Sequence, residues 1–413
     1  MDLEHEIRAL DALIETHITY RADCLNLIAS ENRPSPLVER LLVDELDRHY
    51  GYYTGIDAGN REYPGNAHLI EIEEKVQELA RQLFRAEYVD FRPLSGNIAG
   101  IIAAFGLGRP GDTVLEVENA HKYAEKLATS ALKVDLKAIS IPWDGPRYNI
   151  DLHRTVSLIE AHRPGLVIVG SAIFLFPQPV RELREAMDRH CPGSCLVYDA
   201  AHVMGLIAGG AFQSPLEEGA DVIITSTHKT LAGPQGGMIL ANDRTVMERI
   251  AEATSPLMIA NHHLSRLPSL AATFLEWLAH GPEHAGAIVS NAKCLGQALQ
   301  DRGVPMVGVD QGFTESHTLL AIVDAFGESD TMARRLETCN ILVNPLPLPE
   351  EVGTHGLRLG VQEVTRWGMT ASDVPEVADC IVDALRGEDE DCVKRRVAEL
   401  ARRFDGIKWT IED

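Results

Sequence analysis

Thr225-Ser-Thr-His-Lys-Thr-Leu-Ala-Gly-Pro-Gln-Gly-Gly237 sets Lys229 among hydroxyls and a histidine, just after the apolar run Val222 to Thr225 and just before a glycine-rich turn. A lysine at a strand end beside small polar groups can form a Schiff base with an aldehyde, whereas a lysine taken alone is usually a solvated surface group. In Leu196-Val-Tyr-Asp-Ala-Ala-His202, Asp199 closes an apolar strand and His202 follows on the next turn. Ligands of open α/β sheets bind at the carboxyl ends of the strands; the competing role for Asp199 is a helix N-cap. Arg92-Pro-Leu-Ser-Gly-Asn-Ile-Ala-Gly100 is a small-residue turn opening an apolar helix, where backbone N–H groups with Ser95 and Asn97 would cradle a phosphate or simply cap the helix. Together the three suit pyridoxal phosphate, which needs a lysine on its aldehyde and an acid on its ring nitrogen.

Around these stretches helical patterns alternate with short β-branched runs. Ile70 to Phe84 and Val180 to Cys191 read as helices, and Asp112 to Val117, Leu166 to Val169, Cys195 to Tyr198 and Val222 to Thr225 as strands. That alternation predicts an α/β domain with a mainly parallel sheet. Leu3, Ile7, Leu10, Leu13 and Ile14 recur at helical spacing and predict an N-terminal amphipathic arm. Ser265 to Leu299 reads as a long helix connecting to a smaller α+β domain, and Asp389 to Arg403 as a surface helix with Val393, Val397 and Leu400 on one face. The expected division is an arm over 1–30, a large domain over 31–275 and a small domain over 276–413.

The 413 residues carry 38 Lys and Arg against 61 Asp and Glu, a net charge of −23. That balance argues against a nucleic-acid partner, which calls for clustered basic groups. The longest apolar runs, Ile98 to Leu107 and Leu166 to Phe176, fall short of the roughly 18 residues of a membrane helix. The acidic start Met1-Asp-Leu-Glu-His-Glu-Ile has no basic and apolar leader pattern, so a cytoplasmic protein is expected. Seven scattered cysteines do not form a disulfide framework. Cys191 and Cys195 with His190 lack a second ligand pair for zinc, so no metal is expected.

The sequence resembles the serine hydroxymethyltransferase family of pyridoxal-phosphate enzymes, of the fold type shared with aspartate aminotransferase. The resemblance is carried by Leu27-Ile-Ala-Ser-Glu-Asn32, Pro110-Gly-Asp-Thr-Val-Leu115, Tyr198-Asp-Ala-Ala-His-Val-Met-Gly-Leu206, the Thr227 to Gly237 stretch, Gly356-Leu-Arg-Leu-Gly360 and Thr365-Arg-Trp-Gly368. Gly170-Ser-Ala-Ile-Phe-Leu-Phe-Pro-Gln-Pro-Val180, Asn261-His-His-Leu264 and Phe313-Thr-Glu-Ser-His317 look more like its archaeal and threonine-transaldolase-like branches. The resemblance implies that Lys229 is the Schiff-base lysine, that Asp199 pairs with the ring nitrogen and that His202 lies near the phenolic oxygen. It also implies that Ser95, Gly96 and Asn97 hold the phosphate, with Ser171, Ser226 and His228 completing the cofactor pocket. Asn97 stands where the family usually has Ser. Arg358 and Ser30 would take the substrate carboxylate. Tyr53 would contact substrate, and Tyr63, in Arg61-Glu-Tyr-Pro-Gly65, would reach across from the other subunit of a homodimer with shared sites.

Three positions depart from the family pattern. Aligning the family's Tyr-Ala-Glu-Gly-Tyr-Pro-Gly on Tyr53 to Gly59 puts Gly55 where the family has the glutamate of folate-dependent proton transfer; Asp57 and Glu62 are the nearby acids. Counting forward from Leu115 puts Ala124 at the histidine that stacks on the cofactor ring, leaving His121 or Tyr123 to supply an aromatic. Val343 to His355 lacks the family's pterin loop. The expected activity is therefore aldol or transaldol chemistry on a β-hydroxy-α-amino acid and an aldehyde, without folate. The alternatives are a hydroxymethyltransferase using tetrahydrofolate or a methanopterin, and a homologue that binds the cofactor without turnover.

Overall fold

The computed structural model describes residues 1–118, 120–404 and 406–411. In chain order its longer helices are α1 (Leu3–Ala22), α2 (Ala67–Phe84), α3 (Gly96–Leu107), α4 (Tyr123–Thr129), α5 (Leu152–His162), α6 (Val180–His190), α7 (Arg244–Glu252), α8 (Arg266–Asp301), α9 (Ser329–Thr338), α10 (Val374–Arg386) and α11 (Glu390–Arg402). The chain divides into two compact units.

The larger unit comprises Asn32–Gly286 and the chain end from Trp409. Among its described residues lies a seven-stranded sheet of β1 (Tyr88–Asp90), β2 (Thr113–Val117), β3 (Lys137–Ile141), β4 (Leu166–Gly170), β5 (Cys195–Asp199), β6 (Val222–Ser226) and β7 (Gly237–Ala241), in the order β1-β7-β6-β5-β4-β2-β3. β7 pairs antiparallel with both of its neighbours, β1 and β6, and the other pairs are parallel. Strands β4 to β7 are buried at every position. Helices covering both faces of a parallel sheet produce such continuous apolar runs in place of alternation. Ile102, Ala103 and Leu107 of α3 pack with Val197, Ile224 and Ile239 in that core. The ladder pairs Gly170 with Asp199 and Asp199 with Ile224, so β4 and β5 finish level and β6 runs two residues further to Ser226, at the sheet end where this architecture binds ligands.

The smaller unit comprises Met1–Glu31 and Ala287–Lys408. Its antiparallel sheet of β8 (Thr318–Ile322), β9 (Asn344–Pro347) and β10 (His355–Gly360) has β10 in the middle. The N-terminal segment belongs with this unit because Leu25 and Asn26 pair parallel with Ile341 and Leu342. Trp409 and Thr410 belong with the larger one: Trp409 stacks on His284 at 4.5 Å and Thr410 donates to Glu276. The units divide at Gly286 and Ala287, inside α8, rather than at residue 275. A continuous helix carries no composition break where its packing partner changes. Helix α1 has no buried residue, and Leu3, Ile7, Leu10, Leu13 and Ile14 are 49–68% exposed. No helix among the described residues is long and apolar enough to cross a membrane.

Candidate active site

Lys229 sits one turn beyond β6, in a loop held by its own hydrogen bonds. The Thr227 N–H donates to Gly236 and the Gly233 N–H to Thr227, while the Thr227 hydroxyl donates to the Pro234 carbonyl at 2.5 Å. Neighbouring elements grip the loop from outside: Asn32 donates to the Lys229 carbonyl at 3.0 Å, and the Trp277 indole to that of Leu231 at 2.8 Å. The Thr230 hydroxyl donates to His202 and accepts from the Gly205 N–H. Lys229 Nζ lies 3.2 Å from His202 Nε2. Burial, and then the Lys229 charge, bring His228 down to about 4, so this imidazole is neutral near pH 7.

Asp199 ends β5 and is almost fully buried. Its Oδ1 accepts from the Ala201 N–H at 3.0 Å and its Oδ2 from the Tyr123 hydroxyl at 2.9 Å. The β4 end passes so close that Gly170, at φ +116°, has no room for a side chain against Asp199. Ser171 follows it, buried, with its hydroxyl accepting from Ile173 at 3.0 Å.

At the opening of α3, Ser95 is the N-cap and accepts from the Ile98 N–H at 3.2 Å. A Cβ on Gly96 would run into the Ser226 hydroxyl, so the first turn of α3 and the end of β6 press together. Asn97 is exposed beside them. The position of this turn depends on Arg266, a fully buried guanidinium that bonds the carbonyls of Phe91, Gln235 and Gly237 and occupies the space of a side chain at Gly236. Burial lowers Arg266 to about 10.

In the smaller unit, Arg358 lies on β10, and its Nη2 donates to Asn344 Oδ1 of β9 at 2.9 Å. The Val343 to His355 stretch thus builds a hairpin and supplies a partner for Arg358. The segment leading to Ser30 is tied to the end of the same strand, with the Gly360 N–H donating to Leu27 at 2.8 Å and His317 Nε2 3.1 Å from the Ala29 carbonyl.

The serine hydroxymethyltransferase family profile matches residues 3–381. The chain belongs to this family. A serine hydroxymethyltransferase of Pyrobaculum aerophilum is 38% identical over 98% of this chain and 95% of its own, and that of Methanopyrus kandleri is 39% identical over the same shares. Among solved structures, an L-threonine transaldolase from Pseudomonas fluorescens superposes with a TM-score of 0.91 at 28% identity, covering 99% of this chain and 94% of its own. The archaeal and transaldolase-like resemblance and the fold type are thereby shown.

The family implies pyridoxal phosphate, and the residues present fit it. An amine and a buried carboxylate stand at adjacent strand ends, the Ser226 hydroxyl packs against the first turn of α3 where Gly96 has no side chain, and the buried His228 Nδ1 lacks a hydrogen-bond partner. Tyr123 is buried with its hydroxyl on Asp199, and His121 stacks on Tyr123 at 5.7 Å. Tyr63 is 48% exposed.

Tyr53 is buried in a knot of charge. Its hydroxyl donates to Glu73 Oε1 at 2.6 Å, and Glu73 Oε2 meets Arg61 and, at 3.2 Å, His262. The Arg92 guanidinium lies 4.4 Å over the Tyr53 ring and is paired with Asp90. Burial pushes Glu73 up, but attraction to His262 and Arg61 and the Tyr53 bond overrule it and bring it to about 2. Gly55 takes φ +72° with nothing within 4 Å of a Cβ position. Sequence reasoning missed Glu73, His262 and Arg266. Gly100 inside an apolar helix and the Gly236-Gly237 doublet were the available signals of a close approach.

Proposed function

We propose that this family member makes or breaks the Cα–Cβ bond of a β-hydroxy-α-amino acid and exchanges the aldehyde fragment with an acceptor aldehyde, without a reduced pterin. The observation that carries the reading is Gly55. It stands at the family's glutamate position, in a left-handed conformation that disfavours a side chain, and a shifted acid rarely reproduces proton-transfer geometry. The L-threonine transaldolase likeness supports the same reading.

Pyridoxal phosphate, when bound, supplies the electron sink for the charge left on Cα. The chain does the rest. Lys229 holds the cofactor through its amine, and His202 Nε2, 3.2 Å away, takes and returns a proton at Nζ. Asp199 keeps a proton on the ring nitrogen. The α3 turn at Ser95, Gly96 and Asn97, with Ser226 and the neutral His228, binds the phosphate, and Ser171 lines the pocket. Arg358, with Ser30, takes the substrate carboxylate by a guanidinium fork. The exposed Tyr63 and the uncovered apolar stripe of α1 support a homodimer in which Tyr63 serves the other subunit's site.

A second reading, a pterin-dependent hydroxymethyltransferase, is favoured by relatives of that name at 38–39% identity. One experiment separates the two: incubation with L-serine, L-threonine and glycine, with and without tetrahydrofolate and an acceptor aldehyde. The expected result is aldehyde-dependent exchange that ignores the pterin. Serine turnover strictly dependent on a reduced pterin sinks the folate-independent reading.

A further inference from the structure

We propose that Tyr123, seated in the space left by Gly100, is a positioning residue that holds and aims the Asp199 carboxylate through its hydroxyl, and thereby sets the protonation of the cofactor's ring nitrogen. This rests on the pyridoxal-phosphate reading above.

Four features build the device. Glu116, buried on β2, accepts the N–H groups of Ala124 at 3.0 Å and Glu125 at 2.8 Å, which pins the first turn of α4 and with it Tyr123. Lys122 precedes that turn in the left-handed region, at φ +52°, and directs the chain into α4. The Tyr123 ring lies across α3 exactly where a side chain at position 100 would stand: a Cβ there would overlap Cζ and both Cε atoms. The hydroxyl then reaches Asp199 Oδ2 at 2.9 Å, while Oδ1 takes the Ala201 N–H at 3.0 Å. Any larger residue at 100 displaces the ring, and any smaller residue at 123 leaves Asp199 with a single donor.

The direction of the effect follows from the protonation states. Burial, and then the Asp199 charge, hold the Tyr123 phenol far above its ordinary range, so it stays a donor. A carboxylate in a dry site that accepts two donors is a weaker base than one that accepts a single donor. The proton shared between Asp199 and the ring nitrogen is therefore biased toward nitrogen, the form in which the ring withdraws electrons best. Without the hydroxyl, the proton moves toward Asp199 and the ring withdraws less.

The test uses protein loaded with pyridoxal phosphate labelled with 15N in the ring. In wild type the nitrogen resonance is expected at the protonated position. In Tyr123→Phe, which keeps the ring and removes the hydroxyl, it should move toward the unprotonated position, with kcat falling about 10-fold and KM nearly unchanged. Gly100→Ala, which keeps the hydroxyl but displaces the ring, should move the resonance the same way, and it decides the matter if Tyr123→Phe does not load. An unmoved resonance in a loaded variant overturns the proposal while leaving the cofactor reading intact. Failure of wild type to load overturns the cofactor reading itself.

Discussion

Around Lys229 the chain is held by neutral hydrogen bonds from backbone, hydroxyl, amide and indole groups, whereas the buried Glu73 carboxylate is bonded to the Arg61 guanidinium, the His262 ring and the Tyr53 hydroxyl. Both regions belong to the larger unit, and both carry residues that the family resemblance ties to the active site. In the first, the buried His228 Nδ1 keeps hydrogen-bonding capacity for a ligand. In the second, each Glu73 oxygen has a partner within the chain and Tyr53 is committed to one of them. A buried polar cluster with every group satisfied gives rigidity and specificity of packing; one with capacity in reserve suits binding.

The sharpest way to break this contrast is to remove Lys229. Lys229→Ala should abolish the visible band of the bound cofactor and all turnover while leaving the protein folded, as absorbance and circular dichroism would report. A surviving band means that the lysine is misassigned.

Glu73→Gln should instead act on stability. Leaving Arg61 and His262 buried without their carboxylate costs about 3–5 kcal/mol, measured by denaturant unfolding. The folded variant should keep the cofactor band. A loss below about 1 kcal/mol would show that the knot is not structural.

The acid dependence follows from the same residue. Glu73 sits at about 2 against an ordinary 4.5, so its contribution is complete above pH 4.5 and is lost as pH falls toward 2 and the carboxylate protonates. His228, lowered to about 4 from 6.5, resists in the folded chain a proton that the unfolded chain accepts. Stability should therefore also decline between pH 6.5 and 4. Unfolding midpoints measured across pH should lose the lower limb in Glu73→Gln and the upper limb in His228→Asn.

The smallest effect is expected at Gly55. Gly55→Ala meets no neighbour, so its cost of about 1–2 kcal/mol is backbone strain alone. A stability unchanged by the substitution would mean that the loop relaxes freely and that a longer side chain is admissible there.

Much of the fold was legible because buried parallel strands and amphipathic helices write their periods directly into sequence. Strands β2, β4, β5 and β6 and helices α2, α6, α8 and α11 lie within a few residues of their apolar patterns. Asp199 and Lys229 were legible because each follows its strand by local chain geometry. Tyr123 was legible as an aromatic near the site but not as the partner of Asp199, since the bond joins residues 76 positions apart. Glu73 is one of several acids within the Ile70 to Phe84 helical run, and nothing local distinguishes a buried carboxylate from a solvated one when its partners lie 12, 20 and 189 residues away.

The sequence by itself determined the α/β architecture, the family, and the lysine and aspartate at two strand ends, because these depend on short-range periodicity and on motifs contiguous in the chain. Only the tertiary structure decided which polar groups are already satisfied. It left His228 Nδ1 without a partner, committed Tyr53 to Glu73, and brought Tyr123 through the gap at Gly100 onto Asp199. Hydrogen-bond capacity and burial are properties of neighbours in space, and the packing that creates those neighbours is set by the whole core.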